Sequence, residues 1–388
     1  MGYCYLYKRG GGGSGGGAVG TEMTAIGSVI ALTNSLQRPL KGLRIFGRTT
    51  QNGTPTPTAP VPLVSPGDDG NLSVIVARKN LVNVNFVEKT DRGVTFTPGE
   101  KGGVNLSGAV TQGYPFMNVG KVFLVAGIDY YVSLSGNILQ KMGLRLIDRS
   151  VSPNVTAAAA ASTFTAKATG WYNFEITTNP GFEGQTTVYP MVELGKAATE
   201  HEQYDGQSAT LSTPNGLPGI PVASGGNNTD TSGLQWVCDE VDSGTGERVQ
   251  RTQLYSFTGN EEVSAPYWDA TGFYYNISNY GYPAPINGSD LVTTPCSHTT
   301  GRGALVQGTL FFRNIGSFAN QSEAKAWLKA QHDAGTPFTV LYQLATPIRT
   351  PLSAEELAAY AALHTYAPNT TIYNDGGAEM EVKYMSGG

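Results

Sequence analysis

Apolar and polar positions alternate with a period of two over much of the chain. Gly42-Leu43-Arg44-Ile45-Phe46-Gly47-Arg48 steps in this way, and so do Val82, Val84 and Phe86, then Val94 and Phe96. The same texture runs through Val122 to Leu134, Leu144 to Ile147, Phe164 to Ala168, Trp171 to Ile176 and Thr187 to Leu194. Side chains of a strand point alternately to its two faces, so period two predicts half-buried strands, and the Gly, Asn or Pro in each gap predicts turns. Short strands at this density predict a mainly β chain built of β-sandwich, jelly-roll-like modules. The helical period is confined to two short stretches near the C-terminus. Asn320 caps the first, with Glu323 reaching back and Ala324, Trp327 and Leu328 as the apolar stripe, and Gly335 and Pro337 stop it. Ser353 and Glu356 form the capping box of the second, Ala354 to Leu363.

Composition sharpens the segmentation. With 388 residues, 50 Gly, 22 Pro and only 14% charged residues, the chain has room for two or three domains rich in turns. Six segments follow: a glycine-rich arm (1–25), a β and proline-rich scaffold segment (26–79), a jelly-roll module (80–203), a Gly/Pro-rich connector and hairpin (204–251), a second aromatic-rich β module ending in a helix (252–337), and a strand, helix and hairpin that close the scaffold (338–388). In the connector, Pro218 and Pro221 fix φ while Gly216 and Gly219 accept conformations other residues avoid. The blocks near 40–75, 204–251 and 338–388 are expected to share a discontinuous scaffold.

Net charge is -5 and the 25 Lys and Arg are scattered, which leaves no footprint for nucleic acid. Cys4, Cys238 and Cys296 are an odd set at unrelated spacings, with neither a disulfide framework nor a Cys-x-x-Cys zinc motif. After Lys8-Arg9 the chain runs into glycine where a signal peptide needs an apolar stretch, and no run approaches the ~20 apolar residues of a membrane span. Cytoplasmic synthesis without a signal peptide and without membrane insertion is the expectation.

Reactive constellations are sparse. Gly12-Gly13-Ser14-Gly15-Gly16 spells a nucleophile elbow but lies inside a glycine run. His298 beside Cys296 does not complete a tetrahedral site. Asp239, Glu240 and Asp242 read as a solvated hairpin face, and Asp68-Asp69-Gly70-Asn71 and Asn227-Asn228-Thr229-Asp230 as turns. No catalytic residue, metal or cofactor is expected. The aromatics supply the binding chemistry: Trp268, Tyr267, Tyr274, Tyr275 and Tyr280, with Tyr282, crowd a turn-rich stretch, and sugar C–H faces stack on such rings while hydroxyls meet their polar tips. Filling a β core or a subunit interface is the competing role for the same rings.

Several blocks carry a resemblance. They are Gln51-Asn52-Gly53-Thr54-Pro55-Thr56-Pro57, the connector Pro214 to Val222 with Gln235-Trp236-Val237-Cys238-Asp239-Glu240, and the C-terminal Leu341-Tyr342-Gln343-Leu344-Ala345-Thr346-Pro347, Leu352 to Leu357, Pro368 to Thr371 and Asn374-Asp375. Together they resemble minor tail, baseplate and receptor-binding proteins of phages and prophages of Gram-positive bacteria. Ala126 to Gly136 and Tyr189 to Glu193 are similar to their carbohydrate-binding-module-like regions. The resemblance implies a virion protein of the tail tip, baseplate or fibre, contacting other tail subunits, assembling as a homo-oligomer with a trimer favoured, and attaching to host cell-wall glycan. A cell-wall-degrading glycoside hydrolase is the alternative and needs two carboxylates ~5 to 9 Å apart across a sugar cleft. A bacterial surface adhesin without catalysis is another.

Overall fold

The computed structural model describes residues 21–34, 36–56, 58–136, 142–147, 161–265, 272–280, 282–283, 292–293, 303–305, 308–312 and 315–386, with 142–147, 161, 280, 292–293 and 303–305 described by backbone alone. The fold is mainly β, arranged in antiparallel sheets, with helices at Gln321–Asp333 and Ala354–Ala362. It divides into two compact units, each made of separate stretches. The first takes the described residues of Met1–Leu43, Ser73–Thr210 and Ala358–Gly388, and the second takes Arg44–Leu72 and Leu211–Leu357.

In the first unit two sheets make a sandwich. One has the strand order Ala161–Thr165, Asp129–Gly136, Glu183–Leu194, Val104–Ala109, Val94–Pro98, Lys89–Asp91. The other runs Met142–Ile147, Gly170–Thr178, Phe116–Leu124, Asn83–Val84. The alternation seen in the sequence decides which side chains meet. Phe96, Leu106, Val132 and Val192 enter the core from one sheet, and Val122, Leu124, Tyr172, Phe174 and Ile176 from the other. Each such side chain contributes about 1.5–3 kcal/mol by leaving water, which is what holds the two sheets face to face.

Strands from the two ends of the chain complete this unit. Thr21–Gly27 pairs with Glu379–Ser386, Ala25 opposite Val382, and Val29–Thr33 pairs with Asn369–Asn374, Ile30 opposite Ile372. The expected closing hairpin is therefore corrected. Asn369–Asn374 and Glu379–Ser386 are joined by a tight turn, in which Asn374 Oδ1 accepts from Ala378 N and Gly376 N, yet they lie in different sheets. Strands from the start of the chain offer both of them full partners, and that outweighs their closeness in sequence.

In the second unit, pieces of the three expected scaffold blocks share one sheet. The end of Gly42–Phe46 pairs with Glu240–Asp242, which pairs with Glu247–Ser256, which pairs with Thr339–Pro351. The Gly/Pro connector is sewn to this sheet by close backbone approach. A Cβ on Gly47 would lie 1.7 Å from the Leu217 carbonyl oxygen, so only glycine fits there. The second core lies under the helix Gln321–Asp333. Phe257, Phe273, Phe312, Phe318 and Phe338 gather there with Leu328, and ring centroids such as Phe273 to Phe312 are 4.9 Å apart.

Candidate functional site

The outer face of the four-stranded sheet in the first unit holds the site. Because Tyr172, Phe174 and Ile176 point into the core, Trp171 and Asn173 on the same strand point outward. Lys121 on Phe116–Leu124 stands in register with Asn173 on one side and Asn83 on the other. Directly opposed residues share a face with Cβ atoms about 5 Å apart, so the register lays an amide, an ammonium and a second amide across three adjacent strands. Two residues along, Trp171 is opposite Phe123, and their rings meet edge to face at 5.5 Å. Tyr373 also stacks on Phe123, at 6.3 Å with planes 7° apart.

Two local devices shape this face. The register slips between Phe174 and Glu175, a bulge that leaves Val119 as the extra residue and re-aims Asn118. Gly120 allows the neighbouring edge to come close, since a Cβ there would sit 2.4 Å from the Asn83 carbonyl oxygen. The result is a cleft of about 390 Å³. Ile75, Leu81, Tyr204 and Tyr373 give it apolar lining, and Asn83, Asn85, Asn118, Asn173 and Lys121 give it polar lining, with Trp171 at 48% exposure beside them.

The polar groups are uncommitted. Among the described residues no side-chain hydrogen bond or ion pair within the protein engages Asn83, Asn85, Asn173 or Lys121, and Asn118 Oδ1 is buried without a partner. Buried polar atoms in folded proteins are nearly always satisfied, by the protein or by ordered water, so this oxygen is open to water or to a ligand that displaces it. Burial raises the Tyr204 and Tyr373 hydroxyls above their ordinary range, so both stay protonated and able to donate.

Of the aromatic residues singled out from the sequence, the described side chains of Tyr274, Tyr275 and Tyr282 lie in the second unit and line neither the cleft nor the smaller recess there. Tyr275 is 2% exposed and belongs to the core, its ring 5.3 Å from Phe257, and this burial takes it off any ligand-facing surface. Tyr274, next along the same strand, faces outward and stacks on Phe311 at 5.4 Å. Tyr280 sits in the short turn Ile277–Tyr280, and its side chain is outside the description. Tyr267 and Trp268 lie outside the described residues, as do Cys296 and His298. Tyr282 is exposed, its ring edge-on to Tyr255 at 4.9 Å.

The carboxylates of the connector serve the fold. Asp239 is buried, and its Oδ1 accepts from Arg251 N, Thr252 N and Thr252 Oγ1 at 2.7–3.0 Å. Its expected place on a solvated hairpin face, with Glu240, is corrected: both are 5% exposed. Glu240 accepts from Arg44, Arg251 and Asn227, so a charge run became an internal network. Asp230 works against its own desolvation, and hydrogen bonds from Ser232 and Trp236 hold it down at about 2.

The sequence carried one signal for the cleft that aromatic counting overlooked. In Gly170-Trp171-Tyr172-Asn173-Phe174 the tryptophan stands in phase with an asparagine and out of phase with the core residues, which is an outward position for an indole. A smaller recess of about 220 Å³ in the second unit is lined by Pro60, Pro62, Leu63, Leu254 and Pro337, with the hydroxyl side chains Ser256, Thr336 and Thr339 and no charged group among the described residues.

Comparisons with known proteins add little to this geometry. No protein-family model and no curated protein matches the chain. Among solved structures, a mutant of Bacillus subtilis oxalate decarboxylase aligns over 79% of this chain and 78% of its own at 9% identity and a TM-score of 0.14. The infectious bursal disease virus VP2 subviral particle aligns over 91% of this chain and 80% of its own at 11% identity and a TM-score of 0.09. Scores this low carry no argument for fold or function.

Proposed function

We propose that the chain is a structural protein of a phage or prophage tail, part of a tail tip, baseplate or fibre, and that it attaches to host-surface saccharide through the Trp171 cleft. The observation that carries the binding half is the exposed indole beside amides whose side chains have no partner among the described residues. A pyranose presents an apolar C–H face to an indole and a rim of hydroxyls to side-chain amides, which both donate and accept. The tail setting rests on the blocks quoted above, from Gln51 to Asn374-Asp375. On this reading the protein is not an enzyme. It works as a homo-oligomer, a trimer in the form proposed, in which several modest sites act together on one surface.

Trp171→Ala tests the site. A stacked aromatic at the centre of a small interface is worth about 2 kcal/mol, so affinity for glycans captured by the wild type falls about thirtyfold. A glycan array with both proteins reads this directly, and equal capture by the two removes the cleft from the proposal. The tail setting is read separately, by sedimentation of the purified chain and by mass spectrometry of purified virions.

A further inference from the structure

Among the described residues Lys121 is the one charged side chain lining the cleft, and its placement is specific. Strand register sets it between Asn83 and Asn173, two amides whose N–H groups can converge with the ammonium on one point. Among the described residues no carboxylate pairs with it. An ammonium flanked by amide donors favours an anionic oxygen over a hydroxyl, because hydrogen bonds to a charged acceptor are about twice as strong as neutral ones. The indole row begins two residues further along the strands, about 7 Å away at the rise of a β-strand. That separation lets one sugar ring lie on Trp171 while an acidic substituent of the same or the next residue reaches Lys121.

Resting on the saccharide-cleft reading, we infer that the cleft selects acidic saccharides: sugars carrying a carboxylate or a phosphate, held by Lys121 between Asn83 and Asn173, with Trp171 under the ring. Lys121 sets the preference for charge, and Trp171 sets affinity for any saccharide.

Isothermal titration of the 388-residue chain separates the two. Three probes are used: a uronic-acid oligosaccharide, the same oligosaccharide with its carboxyls reduced to alcohols, and a phosphodiester-linked hexose oligomer. The expected result is that at least one acidic probe binds about tenfold tighter than the reduced one, the worth of one charge-assisted hydrogen bond in a half-open cleft. That advantage shrinks as salt is raised past about 0.1 M, where the screening length is about 10 Å. Lys121→Gln is expected to remove the advantage, so that the acidic and the reduced probes bind the variant about equally. Whichever acidic probe binds more tightly identifies the carboxylate or the phosphate as the source. Equal or weaker binding of both acidic probes, or a preference that survives Lys121→Gln, overturns the inference and leaves the cleft standing. If none of the probes binds the wild type, the cleft reading falls and the inference falls with it.

Discussion

The two units spend the same kinds of side chain in opposite ways. In the second, aromatic rings are dense and mostly hidden: Phe257, Phe273, Phe312 and Phe338 are all within 1% of full burial, and Tyr275 joins them. Its central polar network is occupied as well, with Asp239, Glu240, Asn227 and Arg251 bonded to one another or to backbone. In the first unit a single indole stands half exposed on a sheet face, and the amide side chains around it have no partner among the described residues. Crowding of aromatics therefore marks a core here, and a solitary tryptophan beside open amides marks the surface proposed for binding. Substitutions in the second unit should then be felt as stability, and substitutions on the cleft as binding.

Phe273→Ala puts the largest strain on that contrast. Its ring is fully buried and lies 4.9 to 6.1 Å from those of Phe312, Phe257, Phe338 and Phe318. Truncating such a residue costs about 3–5 kcal/mol, from lost burial and the cavity left behind. The urea midpoint should drop accordingly, while the protein that remains folded binds saccharide as before. The neighbouring Tyr274→Ala, which loses only a half-exposed stack on Phe311, should cost no more than about 1.5 kcal/mol. Loss of saccharide binding in Tyr274→Ala would break the contrast and return the site to the second unit.

Asp239 offers a pH-dependent version of the same test. Burial pushes its carboxyl up from 3.8 to about 7, and the hydrogen bonds from Arg251 N and Thr252, together with the Arg251 charge, only partly oppose it. Since the folded state holds this proton more tightly than the unfolded chain, stability from the site is complete below about pH 4 and declines as pH rises to about 7, by up to about 1.4 kcal/mol per unit. Asp239→Asn keeps an oxygen to accept the same three donors and cannot ionise. The difference in urea midpoint between variant and wild type should grow between pH 4 and 7 in favour of the variant. Parallel curves would show that the buried carboxylate is comfortable when charged.

What could be read from the sequence was local. The sandwich strands follow from period-two alternation, and the helix starts follow from residues three positions apart: Asn320 Oδ1 accepts from Glu323 N at 3.1 Å, and Glu323 Oε2 from Ala319 N at 2.8 Å. Pairing could not be read. Ala25 opposite Val382 and Ile45 opposite Val241 are contacts for which the alternation in either strand names no partner. The same limit hid the site, because Asn83, Lys121 and Asn173 become a row only when the strands are set side by side. Tyr274 and Tyr275 look alike in the sequence, and the side of the strand each occupies decides which is core. Asp239 and Glu240 look like a solvated pair until Arg44 and Arg251 arrive from other strands.

The smallest effect expected comes from the capping box of the helix Ala354–Ala362. Ser353 Oγ accepts from Glu356 N at 3.1 Å, and Glu356 Oε2 accepts in return from Ser353 N at 2.9 Å. The other carboxylate oxygen of Glu356 takes Ser212 N and Arg248 Nη2. Desolvation works against the charge, yet these donors win and hold the Glu356 carboxyl below its ordinary 4.5, so its contribution is present above that pH and lost as pH falls. Ser353→Ala leaves Glu356 N without its acceptor and should cost about 1 kcal/mol. Ser353→Asp should restore most of that, because an aspartate accepts the same bond and its charge suits a helix N-terminus. Neither variant should move saccharide affinity. A drop in affinity for Ser353→Ala without a matching drop in urea midpoint would mean that this polar group acts in binding, against the division between polar side chains bound up in the fold and those left open on the cleft.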